Sequence, residues 1–292
     1  MSGDMFGIAI VVGILGLIFG SFVNALVWRL HEQEEPADSH GAEPTHKKNR
    51  PAAKDLSILQ GRSMCPSCHH QLAAIDLVPV VSWLALHGRC RYCQKPISWQ
   101  YPIVELITGI LFAASYVWWP GGFTPVGAVG LSLWLLFVTG FMALAVYDLK
   151  WYLLPDRVVF PLVCLAFAGV AVNGFGQTNG WELAAHALAA AVCLSGLFFL
   201  LHTFSRGTWI GFGDVKLAVV LGLLAGDLPH MILLLFGAAL LGTAVAVPLL
   251  LRGKANAKTP LPFGPFLLAS TYITVLFGER IIGWYLGLFG LR

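Results

Sequence analysis

The chain has 292 residues, of which 57% are hydrophobic and only 11% charged, with a mean hydropathy of +0.75. Soluble domains carry about a quarter charged residues, so the composition argues against a soluble globular enzyme, a disordered chain and a nucleic-acid binder. The net charge of +3 is too small to call for a polyanionic partner. The 32 Gly and 10 Trp suit a bilayer protein, glycine for close helix approach and tryptophan for the interface.

A spanning helix needs about 20 mostly apolar residues. Eight segments qualify in chain order: 5–28, 103–119, 126–147, 158–174, 183–204, 215–225, 231–251 and 263–277. Segments 215–225 and 263–277 are short for a bilayer and are expected to tilt into protein or to be partly re-entrant. The tail 281–291 holds Trp284 and Tyr285; it is expected either to lie in the interface or to extend the last span. The first segment is expected to stay on the chain, because it lacks a basic leader and is too long for a signal-peptide core.

Charge is concentrated between the first two spans. Residues 29–101 hold nine Lys/Arg and seven Asp/Glu, 16 of the 33 charges in the chain. This divides the sequence into a first transmembrane helix (1–28), a polar domain (29–101) and a transmembrane region (102–292). Within the polar domain, 32–58 contains Pro36, Pro44 and Pro51 and reads as a flexible solvated loop. With the N-terminus outside, segments 29–101, 148–157, 202–216 and 252–262 are cytoplasmic and carry 16 of the 18 Lys/Arg. The positive-inside rule therefore places the N-terminus in the periplasm and the polar domain in the cytoplasm.

Four of the six cysteines form two pairs, Cys65-Pro-Ser-Cys68 and Cys90-Arg-Tyr-Cys93. Two such knuckles supply four thiolates that can close a tetrahedron around Zn²⁺. In a domain this small, metal binding would contribute much of the folding free energy. A reducing cytoplasm argues against disulfides. A closed four-thiolate site has no open position, so it reads as structural. His69 and His70 follow Cys68 directly and read first as surface histidines. Cys164 and Cys193 lie in apolar spans and read as packing residues.

Ionisable groups at membrane depth are costly and are functional candidates by default. Asp148 ends the third span, and Asp214 opens the sixth after Gly211-Phe212-Gly213. The predicted topology puts both at the cytoplasmic rim. Two carboxylates that meet share a proton, so that one can activate water while the other donates to a carbonyl. The competing reading is local: Asp148 beside Lys150, Asp214 beside Lys216, and Asp214 as a helix cap. Asp156 reads as an N-cap. Glu105 reads as an interfacial carboxylate paired with a basic residue. Ser21, Asn24 and Gly16-xxx-Gly20 read as helix-packing elements.

The chain resembles the bacterial type IV prepilin peptidases. The resemblance is carried by Phe19-Gly20-Ser21-Phe22-Val23-Asn24, both cysteine pairs, Tyr101-Pro102-Ile103-Val104-Glu105-Leu106, Tyr147-Asp148 through Leu154-Pro155-Asp156, Gly211-Phe212-Gly213-Asp214-Val215-Lys216, and Leu261-Pro262-Phe263-Gly264-Pro265-Phe266. It implies an inner-membrane aspartyl peptidase of the Gly-x-Gly-Asp type, with Asp148 and Asp214 catalytic. Its substrates would be prepilins of type IV pili or pseudopilins of type II secretion. It further implies N-methylation of the new N-terminal residue from S-adenosylmethionine, with no residue assignable to that donor. The expected fold class is an all-α polytopic membrane protein with about eight transmembrane helices and a zinc-bound cytoplasmic domain held by Cys65, Cys68, Cys90 and Cys93. The rivals are a peptidase without methyltransferase activity and a metal-binding transporter or assembly scaffold.

Overall fold

The computed structural model describes residues 3–34, 56–57, 61–174, 179–253 and 261–290. Most of the expected polar loop 32–58 lies outside the described residues; its first residues continue the opening helix. The described chain is all-α: α1 (Gly3–Glu34), α2 (Val81–Ala85), α3 (Gln100–Val117), α4 (Pro125–Trp151), α5 (Asp156–Gly174), α6 (Gly180–Phe204), α7 (Phe212–Ala225), α8 (Leu228–Leu251) and α9 (Gly264–Leu288). It falls into two compact units, Met1–Val117 and Trp118–Arg292.

The first unit is built on α1 and α3. Their contact is made by glycine. A Cβ on Gly16 would lie 2.8 Å from the Gly109 Cα, and one on Gly20 would lie 2.6 Å from the Glu105 Cα. Backbones can approach this closely only where side chains are missing, which is how helices associate without a hydrophobic drive between them. Phe19 and Phe112 pack beside this seam with ring centroids 5.6 Å apart. Asn24 joins the helix ends: its amide donates to the Tyr101 carbonyl (3.0 Å) and its carbonyl accepts from Gln100 (3.3 Å).

In the second unit, local chemistry sets the helix ends. Thr124 caps α4 by accepting the Gly127 N–H at 3.1 Å, and Tyr152, left-handed at φ 57°, ends it. Asp227 caps α8 by accepting the His230 N–H at 2.8 Å. Gly226, at φ 81°, closes α7, a conformation that costs glycine little. α7 packs against α5, α6, α8 and α9, and Leu217, Ala218, Val220 and Leu221 on it are fully buried.

All eight expected apolar segments are helical. Among the described residues, six helices (α1, α3, α4, α6, α8 and α9) are long and apolar enough to cross a membrane; α5 and α7 are not among them. α7 has 14 residues, about 21 Å of helix against a hydrocarbon core of about 30 Å. Its enclosure by four neighbours removes the need to meet lipid along its length. The tail expected either in the interface or as an extension is resolved in favour of extension, since α9 runs unbroken to Leu288. The protein is thus an all-α, multi-pass membrane protein.

Candidate functional site

The two cysteine knuckles repeat one backbone pattern. In the first, the Cys65 N–H donates to the His70 carbonyl (3.0 Å) and the His69 N–H to the Cys65 carbonyl (2.9 Å). In the second, the Cys90 N–H donates to the Lys95 carbonyl (2.9 Å) and the Gln94 N–H to the Cys90 carbonyl (3.0 Å). His69 and Gln94 are both left-handed at φ 56°. Single antiparallel bridges, Met64 with Gln71 and Arg89 with Pro96, close the two loops.

This duplication brings the sulfurs of Cys65, Cys68, Cys90 and Cys93 within 4.8 Å of one another. The Cys65 and Cys93 sulfurs are 3.9 Å apart. A tetrahedral four-thiolate site with metal–sulfur bonds of about 2.3 Å needs edges of about 3.8 Å, so the donor set fits and can chelate a metal ion. Burial pushes the Cys65 thiol up to about 12, whereas the Lys95 backbone N–H holds Cys93 below the usual thiol range. Neither histidine joins the cluster; the His70 ring lies against Tyr92, with centroids 3.8 Å apart. Cys164 and Cys193 are exposed on α5 and α6 and are not packed inside. Their apolar surroundings predict burial only if every face of a helix is covered by protein.

In the second unit three helix ends converge on the two aspartates. Asp148 lies in the last turn of α4 and is only 6% exposed. Its carboxylate accepts the backbone N–H of Gly264, the first residue of α9. A Cβ at Gly264 would sit 2.5 Å from Asp148 Oδ2, so only glycine lets the acid reach that N-terminus. Asp214 stands in the first turn of α7 and takes the Gly211 N–H. It therefore does cap its helix, as the local reading held. It also lies near enough to Asp148 for the charge on one to act on the other. Leu154 packs over the glycines: a Cβ at Gly213 would lie 3.0 Å from the Leu154 Cβ.

Neither local ion pair of the competing reading, Asp148 with Lys150 or Asp214 with Lys216, is formed among the described residues. Lys216 Nζ donates to both oxygens of Asp156, at 2.6 and 2.8 Å, and lies 5.2 Å from the Phe212 ring centroid. Asp156 is the first residue of α5, so it joins α5 to α7 through this pair. Lys150 lies over the Trp151 ring at 5.1 Å. Gly264 and Leu154 were not recognisable as site residues by charge or spacing, since neither carries chemistry of its own. Glu105, expected to pair with a base, instead accepts the Val80 N–H at 2.7 Å and the Ser21 hydroxyl.

A helical membrane protein with a four-cysteine cluster in one unit and two adjoining carboxylates in the other defines a narrow class, and the comparisons with known proteins identify it. The bacterial peptidase A24 N-terminal domain matches residues 14–119, and the type IV leader peptidase family matches residues 135–247. The chain is 34% identical to the prepilin leader peptidase/N-methyltransferase of Stutzerimonas stutzeri over 94% of its own length and 92% of the relative's. It is 34% identical to the protein of that name from Pseudomonas aeruginosa, over 96% and 93%. With the Burkholderia pseudomallei protein the identity is 36%, over 91% and 84%. No solved structure matches the chain. The chain belongs to the prepilin leader peptidase/N-methyltransferase family.

Proposed function

We propose that the protein cleaves the leader peptide of type IV prepilins or type II secretion pseudopilins at the cytoplasmic face of the bacterial inner membrane, and N-methylates the residue so exposed. The observation that carries the peptidase reading is the convergence of Asp148 and Asp214 at the N-termini of α9 and α7. One carboxylate takes a proton from a water whose oxygen attacks the scissile carbonyl carbon. The other, protonated, hydrogen-bonds the carbonyl oxygen. The carbon–nitrogen bond then breaks as the departing amine takes up a proton. A prepilin suits this position, because its basic leader stays in the cytoplasm and its apolar segment lies in the bilayer.

In this reading all eight long helices cross the membrane, the N-terminus is periplasmic, and the domains are 1–28, 29–101 and 102–292. Cys65, Cys68, Cys90 and Cys93 hold a structural Zn²⁺, which supplies folding energy and no chemistry. S-adenosylmethionine would supply an electrophilic methyl group for the new N-terminal amine. The relatives' shared name carries this second activity; a peptidase that does not methylate is the alternative.

Co-expression with a prepilin, followed by mass analysis of the processed N-terminus, reads both activities. Asp148→Asn and Asp214→Asn should each insert normally and lower cleavage by about a thousandfold or more, as loss of a central catalytic group does. Undiminished cleavage in either variant would remove the dyad. Cleavage without the added methyl group would establish the alternative.

A further inference from the structure

The segment that joins the two cysteine knuckles differs from the polar domain around it. Within residues 72–86, Asp76 is the only charged residue. A run of this kind is too short to span a bilayer but long enough to enter an interface. Its fold is inverted relative to that of a solvated loop. The Asp76 side chain is only 3% exposed. Its carboxylate accepts from Arg91 Nε at 2.7 Å, from the Tyr92 hydroxyl at 3.1 Å and from the Ala73 N–H at 3.2 Å. The aliphatic side chains are left outside: Ile75, Val81 and Leu84 are 65%, 60% and 58% exposed, and Val78 is exposed between them. Water favours the opposite arrangement, with the charge outside and the aliphatic groups covered.

Depth and continuity both set this face against lipid. α3 has 18 residues, about 27 Å of helix against a hydrocarbon core of about 30 Å, so its first residues already lie at the edge of the core. Glu105 lies more than one turn further in, about 7–8 Å along the helix, and its carboxylate accepts the Val80 N–H at 2.7 Å. The Val80 backbone is thereby held at the depth of interfacial segments, about 5–10 Å into the boundary between headgroups and acyl chains. Continuity comes from α3 itself. Trp99, Ile103, Leu106 and Ile110 are exposed at the spacing of a single helix face. Trp83 joins that face to the segment: its ring packs on Trp99 with centroids 4.2 Å apart, and its Nε1–H donates to the Ile97 carbonyl at 3.2 Å. Tryptophan is a residue of the membrane interface. The segment also satisfies its own backbone, as lipid requires. The N–H groups of Asp76, Ser82, Leu84 and Leu86 donate to the carbonyls of Ala73, Val78, Val80 and Ser82 at 2.9–3.0 Å.

We propose that residues 73–86 form an interfacial wedge, with the face made by Ile75, Val78, Val81 and Leu84 inserted into the boundary between headgroups and acyl chains of the bilayer. The partner of this surface is lipid. Because the wedge links the two knuckles, it ties the four-cysteine cluster to the membrane surface. This rests on α3 crossing the bilayer and on neither catalytic activity.

The test is photo-crosslinking of the full-length, metal-loaded protein in phosphatidylcholine/phosphatidylglycerol vesicles. p-Benzoylphenylalanine is placed, one site at a time, at Val78, Val81 or Leu84, at Ile110 on α3, and at Ser67, which is exposed on the first knuckle. Mass analysis should find lipid adducts at Val78, Val81 and Leu84 as readily as at Ile110, and should lose them at Ser67. Val81→Asp should lower the melting temperature of the reconstituted protein, because a charge at that depth is costly, whereas Ser67→Asp, on a solvated surface, should change it little. Metal content reports whether each variant keeps the unit folded. Crosslinks from Val81 or Leu84 to a second copy, to another part of the chain or to an added prepilin, in place of lipid, would overturn the wedge. Lipid adducts at Ser67 as abundant as at Val81 would do the same, as would an unchanged melting temperature in a folded Val81→Asp protein. Absence of adducts at Ile110 as well would overturn it at its source, the span assigned to α3, and would leave the test of leader cleavage untouched.

Discussion

Glycine decides what the two aspartates can touch. At Gly264 an added Cβ would meet the Asp148 carboxylate at 2.5 Å and displace it from the α9 N-terminus, whereas at Gly211 the nearest Asp214 oxygen would be at 3.7 Å, an ordinary contact. Gly264→Ala should therefore cut leader cleavage by about tenfold or more, the scale of a small misplacement at a reacting group, while Gly211→Ala should leave most of it. Comparable losses in cleavage assays of the two proteins would show that crowding at Asp148 is not what matters. The charged residues themselves were legible in the sequence, because a carboxylate at membrane depth is conspicuous. Their partners were not. Lys216 stands two positions from Asp214 yet binds Asp156, since residues two apart on a helix do not face each other.

At the scale of elements, the knuckles and the α1–α3 seam carry separate expectations. Metal analysis should find about one Zn per chain, lost on Cys65→Ser; a folded protein without metal would refute the zinc assignment. With burial raising the Cys65 thiol to about 12, that group is protonated in the free site at neutral pH and ionised when it binds metal. Loading should therefore release protons, and apparent affinity should fall as pH falls. Calorimetry in buffers of different ionisation enthalpy measures the release, and pH-independent affinity would contradict it. Asp76 follows the opposite sign. Burial raises its carboxyl, but the hydrogen bonds from Arg91 and Tyr92 outweigh this and hold it below its ordinary value. Its contribution to stability is thus present above the unfolded carboxylate range and disappears as pH drops through the lowered folded value. In the seam, Gly20→Ala should lower stability by about 1–3 kcal/mol through overpacking, because its Cβ would strike the α3 backbone. Gly7→Ala, with nothing within 4 Å, should change little. Thermal melts in detergent compare the two, and equal stability would show that α1 and α3 can separate without cost.

For the whole molecule, the orientation is the decisive expectation. Reporters fused after Arg206 and Arg252 should read as cytoplasmic, and those after Gly121 and Asp227 as periplasmic; the reverse pattern would invert the assignment of the cytoplasmic face. The apolar segments that become helices and the grouping of the four cysteines were legible in the sequence alone, because hydropathy and knuckle spacing act over short stretches of chain; the expected eight spans were not, since six helices among the described residues are long and apolar enough to cross a membrane. The tertiary structure alone decided that the 14-residue α7 lies enclosed by four helices, that Asp148 and Asp214, 66 positions apart, come near enough for the charge on one to act on the other, and that Glu105 accepts the Val80 N–H rather than pairing with a base among the described residues. Those outcomes depend on which helix faces pack together, and a bilayer in which nearly every face is apolar leaves no periodicity in the sequence to say so.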